Sequence, residues 1–279
     1  MTEDIVLLEK TKENEHIAIL TLNRSDKSNA LNSAMLHTIA EKLSAVDDDK
    51  TIWILIIRSA GKHSSYGGDL YDCVSRNDNG DFVKLREDEA KRHITEGREV
   101  AKKLFYLRVP IIGLIHGFCL GGGAELFSFC DILYGASGRL EEGGLMFGFP
   151  EVKIGCMPGW LGPELIMQRI NPGKAKEILF TGRTIDCNEA LSIGIVQALY
   201  PKDELLTNAI KLANEIIENA PLAVESTRRS INQAMFPHFD KMLESTGIET
   251  TKNLLSSDFL MGATKILKKQ KEKPKFKRQ

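Results

Sequence analysis

The spacing of apolar and polar residues changes its period along the chain, and the changes mark out elements. Residues 5–23, IVLLEKTKENEHIAILTLN, hold two β-branched runs around a polar centre and predict a hairpin. Asn32 and Ser33 then stand before apolar residues at Leu36, Ile39, Ala40, Leu43 and Val46, which is one face of a capped helix. TIWILIIRS (51–59) is continuously apolar, as a strand buried on both faces must be, and a glycine-bearing loop, AGKHSSYGGDL (60–70), follows it. Residues 86–107 are charged but carry a helical stripe at Ala90, Ile94, Ala101, Leu104 and Phe105. VPIIGLIHG (109–117) and DILYGAS (131–137) read as two further strands. This alternation of strand, loop and helix implies an α/β layer structure. From about residue 160 the β pattern fades, and the segments around 203–220, 222–235 and 241–255 are helical. The expected division is a core over 1–200 and an all-helical region over 201–279.

Composition narrows the class. With 42% hydrophobic and 27% charged residues and a net charge of −1, the chain is ordinary globular protein with no global field for nucleic acid or membrane. Its last fifteen residues, KILKKQKEKPKFKRQ, are strongly basic, which by composition alone reads as a solvated tail. Five widely spaced cysteines (73, 119, 130, 156, 187) fit reduced thiols in a cytoplasmic setting rather than a disulfide framework. The start, MTEDIVLLEK, has neither the basic flank nor the apolar stretch of a targeting segment, and no apolar run is long enough to span a bilayer. Phosphate-binding loops, nucleophile elbows and metal-spaced His/Cys clusters are absent from the sequence, so no metal is expected. His116, at the end of a buried run, reads as a structural histidine.

The chemistry concentrates in HGFCLGGGAELFSFCDI (116–132). A strand that ends in glycines and enters a helix presents bare amides at the positive end of the helix dipole, where a ligand oxygen can approach. Alone, such a stretch serves a tight turn equally well, and Glu125 there can simply complement the dipole. SSYGGDL (64–70) repeats the character after another buried strand. LMFGFPEVKIGCMPGW (145–160) adds a second acid, Glu151, before a loop punctuated by Gly and Pro. Two amides and two carboxylates are the parts for acid–base chemistry on an activated acyl group.

At these residues the chain resembles the enoyl-CoA hydratase/isomerase, or crotonase, family. The resemblance rests on AILTLNRSDKSNALN (18–32), SSYGGDL (64–70), PIIGLIHGFCLGGGAELFSFCDI (110–132), FGFPEVKIGCMPG (147–159) and AKEILFTGRTIDCNEALSIGIV (175–196). It implies a spiral of ββα units and a helical C-terminal region that builds a homotrimer or a hexamer. It implies an acyl-CoA thioester as substrate, with coenzyme A entering only as part of that substrate and no tightly bound cofactor. The oxyanion amides would be those of Gly68 and Gly122. Glu125 and Glu151 match the glutamate pair of the hydratases, as the base that activates water and the acid that protonates Cα, and Gly159 matches a water-positioning backbone. Ala30 and Tyr66 match CoA contacts, Arg24 and Lys27 would meet phosphates, and Lys273, Lys275 and Lys277 of the tail would reach the CoA of a neighbouring subunit.

The sequence departs from the family in three places. Trp160 and Leu161 intrude where hydratases carry small residues, Tyr66 and Gly68 replace the usual small residues of the first loop, and Arg139–Gly144 reads as an insertion. Trp160 and Tyr66 are therefore expected to shape the acyl pocket. Hydration of a 2-enoyl-CoA in fatty-acid metabolism is the expected activity. The alternatives are another crotonase-type reaction, isomerisation or hydrolysis, and a binding protein that keeps the fold without the chemistry.

Overall fold

The computed structural model describes residues 4–76, 82–270, 272 and 274–277. Its centre is a six-stranded sheet in the order Val6–Lys10, Ile17–Leu22, Ile54–Ser59, Ile111–Ile115, Ile132–Ala136 and Ala198–Tyr200. The first two strands form the expected hairpin, with Val6 opposite Leu22 and Lys10 opposite Ala18, and the remaining pairings are parallel.

The continuous apolar runs are explained by burial on both faces. Ala18, Leu20, Leu55, Ile57, Ile111 and Leu133 belong to the main core beneath helices Ser33–Asp48 and Glu87–Tyr106. Their alternate neighbours Ile17, Ile19, Ile54, Ile56, Ile112 and Leu114 pack against Leu205, Ala209 and Ala213 of helix Leu205–Ile217. The Ser33–Asp48 helix starts where the sequence places it. The Asn32 side chain accepts from Met35 N–H at 3.0 Å, and the five expected apolar positions are buried along with Met35.

The β structure does not end near residue 160. Thr184–Asp186 pairs with Met146–Gly148, which pairs with Phe118–Leu120, to form a second, three-stranded sheet, and Ala198–Tyr200 completes the edge of the first. Each of these strands has three residues, too few for a period-2 pattern to register. After Tyr200 the described chain is helical, in Leu205–Ile217, Pro221–Met235, Phe239–Leu254 and Ser257–Leu267.

Two contacts tie the late helices to the core. Arg228 is buried and its Nε meets Asp131 Oδ2 at 2.7 Å, while its remaining N–H groups donate to the carbonyls of Leu104, Phe105 and Leu107. This guanidinium closes the C-terminal end of helix Glu87–Tyr106, whose last carbonyls have no helical partner. Helix Ser257–Leu267 lies on the short 3-10 helix Pro150–Ile154 so closely that a Cβ on Gly262 would fall 2.4 Å from Ile154 O. Among the described residues all five cysteines are free and buried, and no helix is long and apolar enough to cross a membrane.

Candidate active site

The two glycine loops are brought into contact by backbone hydrogen bonds. Ser65 N–H donates to Phe118 O at 3.0 Å and Leu120 N–H to Ser65 O at 2.9 Å, which binds the first loop to the strand that leads into the second. On its other side the first loop is held by Leu31 N–H to Gly67 O and Asp69 N–H to Leu31 O. Gly121 then turns the chain at φ +53 and ψ −131, a conformation open to glycine, and helix Gly122–Ser128 begins. A Cβ on Gly122 would be 3.5 Å from Gly68 N, so the two amides share one small space. Among the described residues neither amide has a hydrogen-bond acceptor.

Glu125 lies in the first turn of that helix and is 2% exposed. Its Oε1 accepts from Trp160 N–H at 2.7 Å and Gly162 N–H at 2.8 Å, and its Oε2 accepts from Gly159 N–H at 3.2 Å. Burial pushes its pKa up to about 7, against the opposing pull of these three amides. The Gly159 amide, the sequence's candidate for positioning water, thus bonds the Glu125 carboxylate.

Glu151 opens the Pro150–Ile154 turn. Both of its carboxyl oxygens are buried and have no hydrogen-bond partner, and Oε1 lies 3.1 Å from where a Cβ on Gly121 would be. Burial first, and then the charge of Glu125, raise its pKa well above the ordinary range. Three amides thus favour the charged form of Glu125, and none does so for Glu151.

Both acids line a cavity of about 370 Å³ with Gly68, Gly122, Gly159, Trp160 and Tyr66. A protein-family model described as "Enoyl-CoA hydratase/isomerase" matches residues 12–279. The chain is 32% identical to the short-chain-enoyl-CoA hydratase of Clostridium acetobutylicum over 85% of each chain. It is 31% identical to the crotonyl-CoA hydratase of Syntrophomonas wolfei over 97% of this chain and 98% of that one. A solved enoyl-CoA hydratase/isomerase from Mycobacterium paratuberculosis covers 94% of this chain, with 98% of its own covered, at 26% identity and a TM-score of 0.80. The chain belongs to the enoyl-CoA hydratase/isomerase family. The crotonase fold follows from the same comparisons. It also carries other acyl-CoA chemistry: a methylmalonyl-CoA decarboxylase shares it at a TM-score of 0.79 and 22% identity.

Within this family fold the Trp160 side chain is 3% exposed and sits between two glycines. A Cβ on Gly122 would be 2.7 Å from its Cζ3, and a Cβ on Gly97, in the middle of helix Glu87–Tyr106, would be 1.8 Å from its Cε2. The indole thus lies over the backbone beside the paired amides and shortens the cavity there. Gly97 and His93 were not among the expected site residues. An isolated glycine in the interior of a charged helix costs about 1 kcal/mol relative to alanine, and that cost is the signal that marks it.

The expected CoA-side residues sit on the first glycine loop and on the neighbouring segment 24–30, which Tyr66 N–H ties to it through Ser28 O at 3.1 Å. Tyr66 is 47% exposed and packs edge-on against Phe118. Lys27 stands in solvent on the Ser25–Lys27 turn, 3.9 Å from Asp26. Arg24 turns inward: its Nη1 meets Asp69 Oδ2 at 2.7 Å and Ala30 O at 2.8 Å. In this arrangement its guanidinium braces the loop that carries Gly68. In the tail, Lys273 lies outside the described residues, and Lys277 N–H donates to Asp258 at 2.8 Å. Arg139–Gly144 contains the 3-10 turn Leu140–Glu142 and is absent from the cavity lining. His116 is structural, its Nε2 3.1 Å from Gly61 O.

Proposed function

We propose that this chain is an enoyl-CoA hydratase that adds water reversibly across the C2=C3 bond of a short 2-enoyl-CoA thioester. The observation that carries this reading is the inequality of the two acids. Glu125 is held by three backbone amides that favour its charged form, whereas Glu151 has a buried carboxyl with nothing to stabilise charge. One is built as a base, the other as an acid.

In the proposed reaction Glu125 takes a proton from water through Oε2, and the water oxygen bonds to C3. The π electrons move toward the thioester oxygen, giving an enolate whose charge is met by the N–H groups of Gly68 and Gly122. Each such donor lowers the barrier by about 3–4 kcal/mol. Glu151 delivers its proton to C2, and the proton held on Glu125 returns to Glu151 to reset the pair. Lys27, Ala30 and Tyr66 would hold the CoA portion at the mouth. Assembly into a trimer or hexamer is part of the proposal, supported by exposed Leu222 and Ile231 on helix Pro221–Met235 and Ile248 on the next helix.

Incubation of crotonyl-CoA in H₂¹⁸O tests the reading. Loss of enoyl absorbance with label at C3 is expected, and Glu125→Gln and Glu151→Gln should each slow it by about 10²–10⁴-fold. Migration of the double bond without label, or release of free CoA, points to the isomerase or hydrolase alternative.

A further inference from the structure

His93 is a buried polar group in the acyl cavity that hydration does not use. It projects from helix Glu87–Tyr106, is 7% exposed, and lines the cavity with Glu125 and Glu151. Its Nδ1 is buried without a hydrogen-bond partner. Its Nε2 stands 2.8 Å from where a Cβ on Gly68 would be, and its ring centroid is 5.4 Å from that of Trp160. The imidazole thus borders the cavity between the amide of Gly68 and the indole, alongside the first carbons of an acyl chain whose thioester oxygen lies at that amide. Burial lowers its pKa and keeps the ring neutral, so one nitrogen donates and the other accepts. The nitrogen at the Gly68 side of the cavity is Nε2, and a ligand group that hydrogen-bonds it there would offset a desolvation cost of about 1–3 kcal/mol. Trp160 Nε1 is likewise unpartnered, but it faces the helix at Gly97 and not the chain.

We propose that His93 is a specificity residue that reads a neutral hydrogen-bonding substituent, a hydroxyl or a carbonyl, near C4 of a short acyl thioester. The proposal rests on the acyl-CoA reading of this cavity. A carboxylate is disfavoured as the substituent, because Glu125, Glu151 and Asp69 line the same space and Lys153 is exposed. An alkyl chain would leave the imidazole unpaired, and sites built around a hydrogen bond discriminate against such analogues.

Calorimetry with saturated thioesters tests this without turnover. 4-Hydroxybutanoyl-CoA should bind at least tenfold more tightly than butanoyl-CoA, and succinyl-CoA more weakly than either. His93→Leu should bring the hydroxyl preference, read as the ratio of the two affinities, below twofold, with circular dichroism and melting close to the parent showing that the fold is intact. His93→Gln, whose carboxamide supplies a donor and an acceptor in place of the ring nitrogens, should restore part of the preference. Equal affinities in the parent protein, a preference that survives His93→Leu, or tighter succinyl-CoA binding overturns the proposal. Crotonyl-CoA hydration separates the two readings: a His93-dependent preference without hydration overturns the hydratase assignment alone, and hydration without the preference overturns only the role of His93.

Discussion

The indole of Trp160 fills the volume that any side chain at position 97 would need. With a Gly97 Cβ only 1.8 Å from Cε2, the two residues are a matched pair across the helix–loop boundary. The cavity is therefore shaped from outside its two glycine loops.

The pair predicts a sign reversal. Gly97→Ala should gain up to about 1 kcal/mol in helix propensity but lose more through overpacking, about 1–3 kcal/mol. In a Trp160→Ala background the clash is gone, and the same substitution should stabilise. Chemical denaturation of the four proteins in a double-mutant cycle checks this. Additive effects would show that the indole can move aside at no cost.

Trp160→Ala should also relax chain-length selection. Removal of the ring opens the cavity beside Gly122, and each added methylene that becomes buried contributes about 0.8 kcal/mol. The ratio of kcat/KM for octenoyl-CoA to that for crotonyl-CoA should rise about tenfold or more. Stopped assays over a panel of enoyl chain lengths measure it.

The raised acids set the pH dependence. Both carboxyls would titrate near 4.5 in the unfolded chain and higher in the folded one. The folded state then binds more protons, so stability falls as pH rises from about 4.5 toward the folded values. Glu151→Gln removes a titrating carboxyl and no hydrogen bond. The melting temperature of this variant should coincide with the parent near pH 4 and exceed it increasingly as pH rises above about 5 toward the raised folded value. The widening is at most about 1.4 kcal/mol per pH unit for one proton. A constant offset across that range would show that Glu151 is ionised in the folded protein. The acid limb of kcat/KM should lie near neutrality, where Glu125 becomes a carboxylate.

Much of this arrangement is legible in the sequence, for reasons that differ by element. The buried strands announce themselves because both faces are covered, which forces runs such as ILII at 54–57. Glu125 is found because an acid beside GGG contradicts its apolar surroundings. The three-residue strands at 118–120, 146–148 and 184–186 escape, since their pairing is fixed by tertiary register and not by period. His93 escapes for another reason: it occupies the same helical stripe as Ala90, Ile94 and Gly97, and only the fold shows that this stripe meets Gly68 and Trp160. The orientation of Arg24 is set by Asp69, 45 residues away, which no local pattern reveals.

That last contact separates two cations that look equivalent in sequence. Arg24 and Asp69 have side chains only 19% and 10% exposed, and Asp69 also accepts from Tyr71 N–H at 3.2 Å, directly after Gly68. Arg24→Ala leaves the Asp69 carboxylate nearly buried without its cation and loosens the turn that aims the Gly68 amide. Its effect should fall on kcat, by about tenfold, and change little with salt, because so short a contact is screened weakly. Lys27 is exposed and has only Asp26 nearby, at 3.9 Å. Lys27→Ala should raise KM for the CoA thioester and leave kcat unchanged, with an effect that fades as ionic strength rises past the point where the Debye length drops below about 8 Å. Steady-state kinetics of both variants across a salt series measure the split. If Arg24→Ala instead raises KM alone, in a salt-dependent way, then Arg24 leaves Asp69 to bind phosphate when the substrate arrives.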